Sequence, residues 1–353
     1  MHQYRNNSNI RLKSVFNDYH NGIITKKEAL DLYPLWVSQK DYIMLGKPDY
    51  DEPIPPRSGG TYCPLYEINK HAVNEYLAIL LSKRGNDKYS YSVKQRFEPL
   101  SLICQSQKEN DINFLEPTSV KNYFRCSFLW ETFTYDVNRC SSDTAWRNIG
   151  EEFNLYLSKL KQKYGRISIL RCFESFKNGY PHIHALIYYH DYKFTVKKYR
   201  NKKGKISYIV VSQNEKQKGL QKRDIDYLRS FWHSYIKCTA VKDLGAVGYT
   251  LKYITKGMYT QNNYKTSANL WLYHKRSYSM SKDFVSTIGK LCGISLLDNI
   301  SSNSNKINEG WFYIGVFRPS FEHNEWYVKL KEPPPWLEFN KDTSLETIFS
   351  TVF

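Results

Sequence analysis

The sequence predicts an α+β fold: a central antiparallel sheet with helices packed on one face, carrying N- and C-terminal extensions. Two observations carry this. Between residues 119 and 257 the pattern runs strand–helix–strand–strand–helix–strand–helix. Within it, Lys177-Asn178-Gly179-Tyr180-Pro181 reads as a turn between two β-rich runs, which makes them a hairpin.

Residues 1–118 read as an N-terminal accessory region. Thr25-Lys26-Lys27-Glu28 has the capping-box spacing and opens a short helix that should end near Pro34. The Pro-rich run 51–56 followed by Ser58-Gly59-Gly60 is a loop. Residues 69–84 are expected to be a helix, with Val73, Tyr76, Leu77, Leu80 and Leu81 along one face. Phe124–Tyr135 is rich in β-forming residues and reads as a strand. Ser142-Asp143 can cap a helix that buries Trp146, Ile149, Phe153, Tyr156 or Leu157, Leu160 and Tyr164 and closes at Gly165. Arg166–Glu174 and His182–Tyr189 are the hairpin strands. Residues 191–224 are a basic insertion, read as a hairpin excursion. Residues 225–235 form a helix burying Leu228, Phe231 and Trp232, and Ile236–Val241 is a strand. Asp243 caps a last helix that stops at Gly257. Residues 258–353 are a C-terminal extension of aromatic strands and loops.

The charge points to a polyanion. Lys and Arg number 51 against 34 Asp and Glu, a net of +17. Residues 298–353 hold five cations and eight acids, so the excess lies upstream; residues 191–224 alone carry 11 cations against three acids. Aromatic residues reach 16%. Cations interleaved with rings suit single-stranded nucleic acid, where bases stack and phosphates pair, although many of the 30 tyrosines must be half-buried core. The longest apolar runs, such as 77–81, fall far short of the ~20 residues of a membrane span, so no membrane partner is expected. The seven cysteines are scattered without a C-x-x-C, which argues against a disulfide scaffold and a zinc finger. With no secretory signal at the start, a cytoplasmic location is expected.

Two constellations carry chemistry. In His182-Ile183-His184 both imidazoles leave one face of a strand, and Glu174 on the neighbouring strand can reach the same point. Two neutral imidazoles and a carboxylate suit Mg²⁺ or Mn²⁺ with open positions for a phosphate. A His-x-His on a strand is also common as ordinary surface or core histidines. In Tyr249-Thr250-Leu251-Lys252-Tyr253-Ile254-Thr255-Lys256 a helix would put Tyr249 and Tyr253 on one face, with Lys252 and Lys256 as an adjacent cationic stripe. Alone, this is also an amphipathic helix with half-buried tyrosines. His190 lies ~20 Å along the strand from His184 and is not expected to be a ligand. No G-x-x-x-x-G-K-[ST] motif occurs, since Gly289-Lys290 lacks the upstream glycine, so a fused P-loop helicase is not expected.

Taken together, Glu174, Gly179-Tyr180-Pro181-His182-Ile183-His184-Ala185-Leu186 and Tyr249-x-x-Lys252-Tyr253-x-x-Lys256 resemble the HUH endonucleases, and among them the two-tyrosine rolling-circle replication initiators of archaeal and bacterial plasmids and of small single-stranded DNA phages. Phe128-Leu129-Trp130-Glu131-Thr132-Phe133 sits where that family has its first motif strand, as a loose match. The stretch 271–281 looks like one that follows the tyrosine helix in archaeal plasmid initiators. The resemblance covers about residues 119–285.

It implies an HUH/RRM-like nuclease core over 119–257, with Mg²⁺ or Mn²⁺ held by Glu174, His182 and His184. It implies attack by Tyr249 or Tyr253 on single-stranded DNA at a replication origin, assisted by Lys252 and Lys256. The product would be a 5′-phosphotyrosine and a 3′-hydroxyl that primes a polymerase; a host helicase would unwind the duplex. A transposase or relaxase of the same chemistry, or a non-catalytic single-stranded-DNA-binding protein, are the alternatives.

Overall fold

The structure, a computed structural model, describes residues 12–48, 73–106, 112–176, 178–211, 224–256, 264–293, 312–317 and 326–330. Packing gathers the chain into two compact units, residues 1–33 with 93–297 and residues 34–92 with 298–353. These units do not follow the sequence boundaries at 118 and 257.

The larger unit is built on a nine-stranded antiparallel sheet. Its strands are β3 (Glu116–Pro117), β4 (Tyr123–Cys126), β5 (Phe128–Thr134), β6 (Ile167–Ser175), β7 (Pro181–Tyr189), β8 (Phe194–Arg200), β9 (Ile206–Val210), β10 (Ile236–Ala240) and β11 (Tyr278–Met280). Their spatial order is β11-β6-β7-β5-β10-β9-β8-β4-β3. The fold class is therefore the α+β sheet expected, with two refinements. The strand expected over 124–135 is two, broken at Ser127. The basic insertion supplies two strands of the sheet itself, and β11 from the C-terminal extension pairs with β6.

The long helix Ser142–Tyr164 starts one residue earlier than its expected cap implies: Ser141 Oγ accepts from the Thr144 amide, and Gly165, at φ 81°, closes it. Its buried stripe is Ala145, Trp146, Ile149, Phe153, Tyr156, Leu160 and Tyr164. Phe133 on β5 meets Phe153 and Tyr156 edge-on, with ring centroids 5.0 and 4.9 Å away. Each such ring is worth ~1.5–3 kcal/mol in burial. On the same face Glu131 is completely buried and accepts from Tyr156 Oη at 2.7 Å and Tyr189 Oη at 2.8 Å. The residues between these along β5 point to the opposite face.

The Thr25 capping box forms as expected and opens helix Lys26–Asp31. That helix stops at Leu32, and a second begins at Tyr33, with Pro34 in its first turn where the missing amide costs nothing. The extension 258–297 is more helical than expected, with helices Tyr264–Leu272 and Phe284–Leu291.

The smaller unit holds the clearest correction. Residues 73–80 are not helical but form strand β2 (Val73–Leu80). Its neighbours are β1 (Tyr42–Pro48), β12 (Phe312–Phe317) and β13 (Tyr327–Leu330), in the order β12-β1-β2-β13. β2 is hydrogen-bonded on both edges, by β1 and β13. Tyr76 and Ala78 are buried while Leu77 and Ile79 are half-buried. Apolar residues on both faces happen to satisfy the helical spacing as well, and strand pairing decides between them. The loop expected at 51–60 and the Pro-rich stop at 332–336 lie outside the described residues.

Candidate active site

The β6–β7 hairpin is held at its turn. Gly179 adopts φ 85°, in the left-handed region that favours glycine, and its amide donates to Phe176 O at 2.9 Å. Its carbonyl accepts from Trp146 Nε1 at 2.8 Å, and Tyr180 Oη donates to Cys140 O at 2.7 Å. The turn is thus fastened to the long helix and to the loop before it.

Register then assembles the site. Glu174 on β6 stands opposite His182 on β7, and Cys172 opposite His184. On the other side of β7, Thr134 faces His182 and Thr132 faces His184. The two-residue period puts Trp130, Thr132, Glu174, His182 and His184 on one face of the sheet. His184 Nε2 lies 3.2 Å from Glu174 Oε2, and His184 Nδ1 lies 3.3 Å from Thr132 Oγ1. Thr132 Oγ1 also accepts from Trp130 Nε1 at 3.0 Å. One polarity satisfies all these groups: indole N–H to hydroxyl oxygen, hydroxyl hydrogen to Nδ1, and Nε2–H to carboxylate.

His182 is 6% exposed, its ring 4.4 Å from that of His184 and 4.2 Å from that of Phe176. Burial, with a smaller contribution from His184 and a small opposing one from the Phe133 backbone, pushes its pKa down to about 3. It is therefore neutral at physiological pH, the form that ligates a cation. Its Nδ1 is buried without a hydrogen-bond partner among the described residues. This donor set, two imidazoles and a carboxylate, fits a hard or borderline divalent cation. It is not a preformed shell. Among the described residues no three His, Cys, Asp or Glu side chains are spaced to enclose a metal ion, and the Glu174 carboxylate is in contact with an imidazole instead. Moving the His184 proton to Nδ1 would free Nε2 as a ligand and leave Thr132 Oγ1 accepting from both rings.

The helix Gly245–Lys256 packs against β6 and β7. Asp243 Oδ1 accepts the Gly245 amide at 3.0 Å, as the expected cap requires. Val247, Thr250 and Ile254 face inward, whereas Tyr249 is 50% exposed. Its ring lies 5.3 Å from that of Trp130, which lies 5.8 Å from that of His184. Trp130 therefore bridges the tyrosine to the imidazoles. Lys252 is exposed. Tyr253 and Lys256 belong to the helix, but their side chains lie outside the described residues. His190 sits at the far end of β7, its Nε2 2.7 Å from Ser168 Oγ. The bridging pair Trp130 and Thr132 is what motif reasoning missed; the signal was their alternation along the loosely matched strand 128–133.

Residues 128–258 match the model of a family described as replication-associated protein ORF2. The match starts at the first residue of β5, ends just past the tyrosine helix and includes every site residue named above. No curated protein and no solved structure gives a significant match. Among the described residues no helix is long and apolar enough to cross a membrane.

Proposed function

We propose that this chain is a replication initiator that nicks and rejoins single-stranded DNA at an origin, with Tyr249 as a nucleophile. The observation that carries this reading is the contact chain Tyr249–Trp130–His184. It sets an accessible phenol beside a neutral imidazole–carboxylate cluster, within a stretch similar to a replication-associated family.

Mg²⁺ or Mn²⁺ held by Glu174, His182 and His184 would supply Lewis-acid polarisation of the scissile phosphate. Trp130 fixes the tyrosine ring. The phenol gives its proton to water, its oxygen bonds to phosphorus, and the P–O3′ bond breaks with the 3′-oxygen taking up a proton. The product is a 5′-phosphotyrosine and a free 3′-hydroxyl. The phosphodiester energy is kept, so the reverse attack rejoins the strand without ATP. Tyr253, one turn on, would serve as a second nucleophile, and Lys252 and Lys256 would flank the phosphate with positive charge. Host helicase and polymerase would act before and after this step.

The test is incubation of the full chain with single-stranded oligonucleotides and Mn²⁺. A protein–DNA adduct that survives a denaturing gel is expected; its absence on every oligonucleotide, including ones drawn from the replicon encoding the chain, would remove the proposal.

A further inference from the structure

The site described above accounts for the region around β5–β7. It does not account for the largest concentration of charge in the described chain, which lies on β8, β9 and the turn between them. From 198 to 208 the sequence is Lys-Tyr-Arg-Asn-Lys-Lys-Gly-Lys-Ile-Ser-Tyr, with five cations and no acid. None of Lys198, Arg200, Lys202, Lys203 and Lys205 makes an ion pair among the described residues, and all five are exposed.

The register shows that this segment stands clear of the sheet. β4 pairs with β8 only from Tyr123↔Lys197 to Cys126↔Phe194, and a last amide bond joins Lys198 N to Asn122 O. β10 meets β9 only at Thr239↔Ile209. β8 and β9 remain paired beyond these points, through Tyr199↔Ser207 and Arg200↔Ile206. They form a two-stranded ribbon with no strand neighbour on either edge among the described residues.

Its tip is ordered. Asn201 N donates to Lys205 O at 3.0 Å and Gly204 N to Asn201 O at 2.9 Å, with Gly204 at φ 78°. Asn201 Oδ1 accepts from the Lys203 and Lys205 amides at 3.0 and 2.9 Å. Three lysine stems therefore leave one fixed turn.

From this arm we infer a second DNA-binding element, one that grips duplex rather than single-stranded DNA. Single-strand surfaces interleave cations with rings on which bases stack. Here five cations accompany one freely exposed ring, Tyr199 at 49%, because Tyr208 is held edge-on by Phe124 at 5.3 Å. A free two-stranded ribbon also matches the ~12 Å major groove, which admits such an element. β9 runs parallel to β5, so the tip points away from the end of the sheet that carries His182. Counting residues at ~3.3 Å each puts it on the order of 30 Å from the imidazoles, about one turn of duplex. The arm would hold the flank of the origin while the exposed strand enters the site. Only the choice of DNA as the polyanion rests on the proposed function.

The test compares the full-length protein with K202Q/K203Q/K205Q, measuring fluorescence anisotropy on a duplex and on a single strand of the same sequence over a salt series. The variant should lose roughly tenfold or more in duplex affinity, and its log–log salt slope should fall by about 2–3, at ~0.9 per lost phosphate contact. Single-strand affinity should change little. The charge-neutral Asn201→Ala should weaken duplex binding several-fold with the slope kept. An unchanged duplex slope overturns the inference, as does an equal loss on the single strand. Adduct formation on a single-stranded oligonucleotide, followed with the same proteins, reports separately on the nicking reaction, so a failure of that chemistry leaves the binding comparison readable.

Discussion

Thr132 Oγ1 lies 3.3 Å from His184 Nδ1 and links that imidazole to the indole of Trp130. A threonine in the middle of a strand thereby sets both which nitrogen of His184 carries the proton and where the tryptophan ring stands. Groups that orient a ligating histidine typically change metal affinity 10–100-fold when removed. Thr132→Val keeps the shape and removes the hydroxyl. It should raise the Mn²⁺ concentration needed for half-maximal adduct formation by about tenfold, with little change in the saturated rate. A metal titration reads this directly, and an unchanged midpoint would show that Thr132 has no part in holding the cation.

Trp130 should act as a platform for Tyr249 rather than as core filling. Trp130→Ala should slow adduct formation by roughly tenfold, the rate equivalent of losing one aromatic pair. Trp130→Phe should retain most of the rate. Single-turnover kinetics separate the two; equal losses in both variants would point to packing alone.

Tyr249→Phe and Tyr253→Phe should each keep some adduct formation on single-stranded oligonucleotides, and the double variant none. Phenylalanine keeps the ring and removes only the nucleophile. Complete inactivity of one single variant would leave a one-tyrosine mechanism.

Stability should fall with rising pH because of Glu131. Burial raises its pKa to about 7, against the lowering effect of the Tyr156 and Tyr189 hydrogen bonds. The folded value lies above the unfolded one, ~4.5, so this contribution is fully present below pH ~4.5 and is lost as pH rises through ~7. Between about pH 5 and pH 8 the wild type should lose on the order of 2–3 kcal/mol, and Glu131→Gln should lack that slope. Chemical denaturation at the two pH values is the check.

The site was legible in the sequence where one periodicity settled the matter. The hairpin turn at 177–181 forces antiparallel pairing, and alternation then brings Glu174 to His182 and His184 on one face. The Ser142–Tyr164 helix was equally plain, because its apolar stripe and closing glycine agree. β2 was not, since Val73, Tyr76, Leu77 and Leu80 fit a helical face as well as a strand with both faces covered, and its partners lie far away in sequence. Trp130 and Thr132 escaped for another reason. Their role depends on which strand lies beside β7, and no local pattern states that. The arm at 198–208 showed its charge but not its freedom from the sheet, which only the register reveals.

The central claim is that a tyrosine of the helix Gly245–Lys256 becomes joined to DNA beside the His182–His184 cluster. Proteolysis and mass spectrometry of the adduct trapped on the Tyr253→Phe protein test it most directly. The account predicts that the oligonucleotide is attached through its 5′-phosphate to Tyr249. Attachment to a tyrosine elsewhere, or strand cleavage with no protein-linked product, would contradict it.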